Sequence, residues 1–165
     1  MTVCRYVALA GLCAALTGCV VVADRGSAET GVHRAPPLET WRVDDLPDWA
    51  PFSSVVRGGD TLYVSGHLGR LPGGTTLIEG GAGPETTRTI ANIARSLRLA
   101  GASLDDVTSC TVYLTDMSDY QVMNNAYAAA FGDHRPARVT AGVQELALGA
   151  AVEIDCIAYA PEGER

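Results

Sequence analysis

The stretch "AVEIDCIAYA" (151–160) constrains the fold more than any other part of the chain. Its side chains alternate: Val152, Ile154 and Cys156 point one way, and Glu153, Asp155, Ile157 and Tyr159 the other. Such alternation belongs to a β-strand with one buried face. The first set needs an apolar layer over it, and two helical patterns can supply one. The first begins near Pro84, a residue suited to an opening turn, with Glu85 at the positive end of the helix. Ile90, Ile93, Ala94, Leu97 and Ala100 then form one stripe, and Gly101 is a natural stop. The second runs from about Ser118 to Phe131, with Val122, Ala126, Tyr127 and Ala130 on one face. Apolar runs on either side of "RGGD" (57–60) read as a β-hairpin, and "LGRLPGGTTLIEGGAGP" reads as a loop. "VTSCTVYLTD" (107–116) and "ARVTAGVQEL" (137–146) are further strands. The order β-β-α-β-α-β-β predicts a single α+β domain, a mixed β-sheet with two helices on one face. The other face is half polar and half apolar. That composition suits a subunit interface with a polar pocket better than bare solvent.

The segment before this domain has a different character. A short start carrying Arg5, an apolar run from Val7 to Leu16 and then "LTGC" (16–19) have the layout of a secretory signal, too short to span a bilayer as a stable helix. "LTGC" resembles the lipobox of bacterial lipoproteins, which makes Cys19 the lipidation site. The expectation is a signal peptide over 1–18, a lipidated Cys19 with a flexible tether over 19–47, and a domain over 48–165. The chain would then sit in the cell envelope, held to a membrane by its N-terminal lipid on the periplasmic or extracellular face. Trp41 and Trp49 would be the first side chains to touch the domain.

Composition narrows the chemistry. All 12 basic residues are Arg, and the formal net charge is −7. Without Lys there is no Schiff-base lysine and no Walker-type phosphate loop. An acidic, lysine-free chain is also a poor partner for nucleic acid. Cys110 and Cys156 each sit inside an apolar strand pattern; an oxidising compartment would permit a disulfide between them, and the favoured expectation is two separate small buried hydrophobes. His33, His67 and His134 show no metal-ligand spacing, so no metal is expected. Ser65 lacks the Gly-x-Ser-x-Gly elbow of a nucleophilic serine.

Two charged residues attract attention in "HRPARVTAGVQ" (134–144) and the strand after it. Arg138 stands at the start of a strand, so its backbone is fixed by pairing, whereas Arg135 lies in the turn. A fixed guanidinium is a good two-pronged carboxylate receptor. Glu153 lies on the next strand in sequence, and a short hairpin would bring the two together. They form either a substrate clamp with its acid/base partner or a plain structural salt bridge.

"PFSSVVRGGDTLYVSGHLG", "DDVTSCTVYLTDMSDYQVMNNAYAAAFG", "RPARVTAGVQEL" and "VEIDCIAYA" together resemble successive signatures of the Rid family (YjgF type, the reactive intermediate deaminases), over about residues 50–161. The resemblance implies a chorismate-mutase-like fold and a homotrimer with ligand clefts between subunits. It also implies hydrolysis of enamine/imine intermediates such as 2-aminoacrylate to 2-keto acids and ammonia, with no cofactor. The family's carboxylate-binding arginine falls on Arg138 and its water-positioning glutamate on Glu153. The pocket backbone falls on Ser65 and Gly66, and the helix asparagine on Asn124. Two positions depart from the pattern: Phe52 stands where a tyrosine is frequent, and Thr140 where a cysteine often follows the arginine. Both bear on substrate identity. The alternative is a non-catalytic module of the same fold that binds a small carboxylate.

Overall fold

The computed structural model describes residues 37–163. Their core is a six-stranded mixed sheet covered on one face by two helices. The strands are β1 (Glu39–Trp41), β2 (Val55–Gly58), β3 (Thr61–Leu68), β4 (Val107–Leu114), β5 (Ala137–Gly142) and β6 (Val152–Tyr159). The helices are α1 (Ala82–Leu99), between β3 and β4, and α2 (Tyr120–Phe131), between β4 and β5. The sheet order is β1-β2-β3-β6-β4-β5, with β4 and β5 parallel and every other pair antiparallel. The "RGGD" hairpin forms as expected, with Gly58 opposite Thr61 and Gly59 in the left-handed conformation at its turn.

One strand-pairing expectation is corrected. β6 does not form a hairpin with β5; it is inserted between β3 and β4, and β4 separates it from β5. The reason lies in its inward side chains. Val152, Ile154, Cys156 and Ala158 are all fully buried, and a central position with helices above is where four such residues in a row lose water completely. β5, whose burial pattern is half open, takes the edge. A further strand, β1, pairs with β2 inside the stretch expected to be tether, with Trp41 opposite Val55. Val43, Leu46 and Ala50 follow it as a small second apolar cluster. The expected signal segment and Cys19 lie outside the described residues.

α1 presents the expected stripe: Ile90, Ile93, Leu97 and, just past its end, Ala100 are buried. The same face is more polar than the pattern suggested, because Glu85, Thr86, Thr89, Asn92 and Ser96 are buried with it. α2 is turned relative to expectation. Met123, Tyr127 and Phe131, spaced by four, face the core, whereas Val122 is exposed. The bulkier side chains took the buried side, where they remove more apolar surface from water than Ala126 and Ala130 could.

The two domain cysteines are not separate. Cys110 and Cys156 face each other across β4 and β6 and form a disulfide that closes a sequence separation of 46 residues. They occupy a directly opposed pair of an antiparallel ladder, where side chains approach most closely.

Candidate active site

Six of the seven domain residues singled out from the sequence fall into two clusters on opposite faces of the sheet. Phe52, Ser65, Gly66 and Glu153 line one cleft of about 330 Å³. Asn124 and Arg138 line a second hollow of about 380 Å³. Register explains the separation. Arg138 is level with Cys110, which is level with Cys156, and both cysteines point into the helix-covered core. Ala141 is level with Tyr113, which is level with Glu153, and these point to the uncovered face. Within one chain Arg138 and Glu153 therefore cannot meet, as a salt bridge or as a shared site. Thr140 is two residues beyond Arg138 on the same side of β5; its hydroxyl is buried without a hydrogen-bond partner among the described residues.

The Glu153 cleft is built on a bulge. The register of β3 against β6 shifts between Val64 and His67, so Ser65 and Gly66 leave the regular ladder. Ser65 is tied down: its amide donates to Ser54 O at 3.1 Å and its hydroxyl to Ser53 O at 2.7 Å. His67 locks the other side. Its Nδ1 lies 2.6 Å from Ser65 O, a carbonyl that can only accept, so Nδ1 carries the proton and Nε2 accepts from Ser96 Oγ at 2.7 Å. Burial pushes the His67 pKa down, which keeps the ring neutral in this role. Glycine at 66 leaves the carboxylate its seat: a Cβ there would stand 3.0 Å from Glu153 Cδ and closer still to Oε1, so the side chain of Glu153 would have to move aside. The bare backbone at 66 is what lets the carboxylate lie against the bulge.

Burial raises the pKa of Glu153, and the charge of Asp155 two residues along raises it further. Asp155 is itself pushed up by burial, opposed by hydrogen bonds from Thr111 and Tyr113. A carboxyl that exchanges its proton nearer neutral pH is suited to general acid/base work.

Arg138 is held by α2. Its Nη2 donates to Asn124 Oδ1 at 2.8 Å and to Tyr120 OH at 3.1 Å, and its guanidinium lies 4.7 Å from the centre of the Tyr127 ring. Desolvation pushes the Tyr127 phenol up to about 12, so the ring is neutral and its face attracts the cation. Arg135 behaves as a turn residue; it is exposed and bonded only to the backbone of Gly132 and His134.

Two supporting roles went unread in the sequence, where Glu85 stood only as an acidic residue at a helix start. The carboxylate of Glu85, buried at the start of α1, accepts from the amides of Ala151 at 2.9 Å and Val152 at 3.3 Å and so fixes the start of β6. An acidic residue eight positions before Ile93, on the apolar stripe of an amphipathic helix, was the available signal. Arg42, just after β1, donates to the carbonyls of Pro47, Ala50 and Phe52. Nothing in local periodicity marks it.

The comparisons agree with this fold. The family model described as Endoribonuclease L-PSP matches residues 44–160. A RutC family protein of Pyrococcus horikoshii is 38% identical over 109 residues, 66% of this chain and 86% of its own length. The 2-iminobutanoate/2-iminopropanoate deaminase of Bos taurus is 36% identical over 108 residues, 66% of this chain and 79% of its own length. Among solved structures, RidA from an Antarctic Psychrobacter superposes with a TM-score of 0.68 at 36% identity, covering 73% of this chain and 98% of that one. The chain thus belongs to the Endoribonuclease L-PSP family, the group that also carries the names YjgF, RutC and Rid.

Proposed function

We propose that the protein hydrolyses reactive enamine/imine intermediates, 2-imino acids of the 2-aminoacrylate type, to 2-keto acids and ammonia. The observation that carries this reading is the Glu153 carboxyl, half-buried, shifted upward in pKa and seated against Gly66 in a cleft with Ser65. Named imine deaminases among the relatives support it. Because Arg138 and Glu153 face opposite sides of one sheet, a shared site needs two subunits. The mixed uncovered face, with Tyr63, Val139, Ile157 and Tyr159 exposed, suits such an assembly, which we take to be the homotrimer.

The chemistry is modest. The imine carbon is already electrophilic, so the site must orient the substrate, hold a water and move protons. Arg138 of one subunit binds the substrate carboxylate with two parallel N–H donors. Glu153 of the next takes a proton from water as the water oxygen bonds to the imine carbon and passes that proton to the nitrogen, which has received the C=N electron pair, giving a carbinolamine. Glu153 then takes the carbinolamine hydroxyl proton and delivers it to the amine; the C–N bond breaks with its electron pair going to nitrogen, ammonia leaves and the carbonyl forms. Every step uses side chains of this chain and water. RNA cleavage is disfavoured by the acidic, lysine-free composition, since phosphate affinity depends on clustered cations. The test is release of ammonia and 2-keto acid from a freshly generated imino acid, above the rate in water. Absence of any acceleration, with tight binding of small carboxylates instead, identifies a binding module.

We also propose export with lipidation at Cys19. The Cys110–Cys156 disulfide supports it, because such bonds persist mainly in oxidising compartments. Replacing Cys19 by Ser should abolish acylation, and recovery of soluble wild-type protein from the cytoplasm with Met1 intact contradicts the proposal.

A further inference from the structure

The wall of the Glu153 cleft opposite the carboxylate is apolar and rigidly built. It is made by the arm that follows β1, from Val43 to Phe52. The arm is fastened at both ends. Arg42 grips the Pro47, Ala50 and Phe52 carbonyls, and Asp45 is paired with Arg95 of α1 and accepts from the Gly73 amide at 3.2 Å. Held in this way, Leu46, Trp49 and Phe52 line the cleft, Trp49 with 79% of its surface open and Phe52 with 49%. Leu148, 52% exposed, lines the same cleft. Its backbone is left-handed, with φ 60° and ψ 9°, and among the described residues it is the one non-glycine at positive φ. A branched apolar side chain in that conformation costs free energy, and an outlier of this kind at a cleft points to a use there.

The space is also larger than a three-carbon acid needs. At roughly 30 Å³ for a water-sized group, 330 Å³ has room for about ten such groups. We infer that the cleft selects imino acids with bulky apolar side chains, branched aliphatic or aromatic, and that Leu148 and Trp49 are the specificity-determining residues. The inference rests on the imine-hydrolysis reading above and narrows its substrate class. The preformed wall supplies apolar burial without ordering a loop on binding.

The experiment uses the full chain and imino acids generated in situ by an amino-acid oxidase from alanine, leucine and phenylalanine, with semicarbazide competing for the imine. One methylene in an apolar pocket discriminates by roughly 10- to 200-fold. The leucine- and phenylalanine-derived substrates should exceed the alanine-derived one at least about tenfold in kcat/KM. Leu148→Gly suits the left-handed backbone and keeps the fold; it should cut that ratio about tenfold, and Trp49→Ala should act likewise. Preference for the alanine-derived substrate, a ratio unmoved in Leu148→Gly, or a change only in oligomeric size overturns the inference and leaves imine hydrolysis standing. If no imino acid is turned over, it is imine hydrolysis that fails. Calorimetric titration with pyruvate, 4-methyl-2-oxopentanoate and phenylpyruvate then decides the size preference. Tighter binding of the two larger acids by about tenfold upholds it, and equal or weaker binding overturns it.

Discussion

The carboxylate of Glu153 fills the space that a side chain at position 66 would need, so the glycine in β3 and the glutamate in β6 are one unit. Gly66→Ala should push the carboxylate off its seat and lower kcat/KM by about 100-fold, the scale of a misplacement near 1 Å, with little loss of the fold. Kinetics and thermal unfolding on the same preparation check this. Full activity in a folded Gly66→Ala protein contradicts the packing.

On the proposed reading, Arg138 acts as a planar two-pronged donor and not merely as a charge. Arg138→Lys should fail nearly as badly as Arg138→Ala, each losing on the order of 2–4 kcal/mol of transition-state binding, a drop of roughly 30- to 1000-fold in kcat/KM. Arg135→Ala should stay close to wild type although Arg135 lines the same hollow, because among the described residues its hydrogen bonds go to turn carbonyls and its backbone is not set by strand pairing. The reverse pattern would assign the clamp to Arg135.

Both the fold class and the outward row of β6 were legible in the sequence, because a period of two over Val152–Tyr159 leaves no other arrangement of faces. The seating of Glu153 on Gly66 was legible only as two separate residues. The insertion of β6 between β3 and β4 was not legible, since strand order depends on long-range burial that local alternation does not encode. That one difference turned an expected Arg138–Glu153 hairpin contact into two clusters on opposite faces. The buried face of α2 was misassigned for a related reason. In a short, alanine-rich helix two neighbouring faces are nearly equally apolar, and only the core's need for Met123, Tyr127 and Phe131 separates them. Pairing of Cys110 with Cys156 likewise required the β4–β6 register.

Glu153 binds its proton more tightly in the folded chain than its ordinary value of 4.5 allows. In the interval between that value and the raised one, the folded protein holds more protons than the unfolded chain, so stability falls as pH rises through it. Asp155 acts in the same direction. Glu153→Gln should flatten this dependence and be relatively more stable near neutral pH, as urea midpoints at a series of pH values can show. The wild-type kcat/KM should rise with pH on a limb whose apparent pKa lies above 4.5, where Glu153 becomes the base. A limb at or below that value removes Glu153 from the base role.

The disulfide ties the central strand β6, which carries Glu153, to β4. Reduction, or the Cys110→Ala/Cys156→Ala pair, should lower stability by about 2–4 kcal/mol, through freedom returned to the unfolded chain between the two sites. Urea unfolding with and without reductant measures it. Unchanged midpoints mean the cysteines are not joined in the native protein.

Opposite facing of Arg138 and Glu153 makes the central claim open to complementation. On the proposed trimer, Arg138→Ala and Glu153→Gln subunits should each be inactive alone, yet a mixed trimer would contain a cleft with an intact arginine from one subunit and an intact glutamate from another. Co-expression of the two variants from differently tagged copies, followed by the imine-hydrolysis assay on doubly purified protein, should restore roughly a third of wild-type activity, because every mixed trimer keeps one intact cleft in three. Mixed trimers that form and remain as inactive as either parent, beside an active wild type, contradict a cleft shared across the subunit boundary.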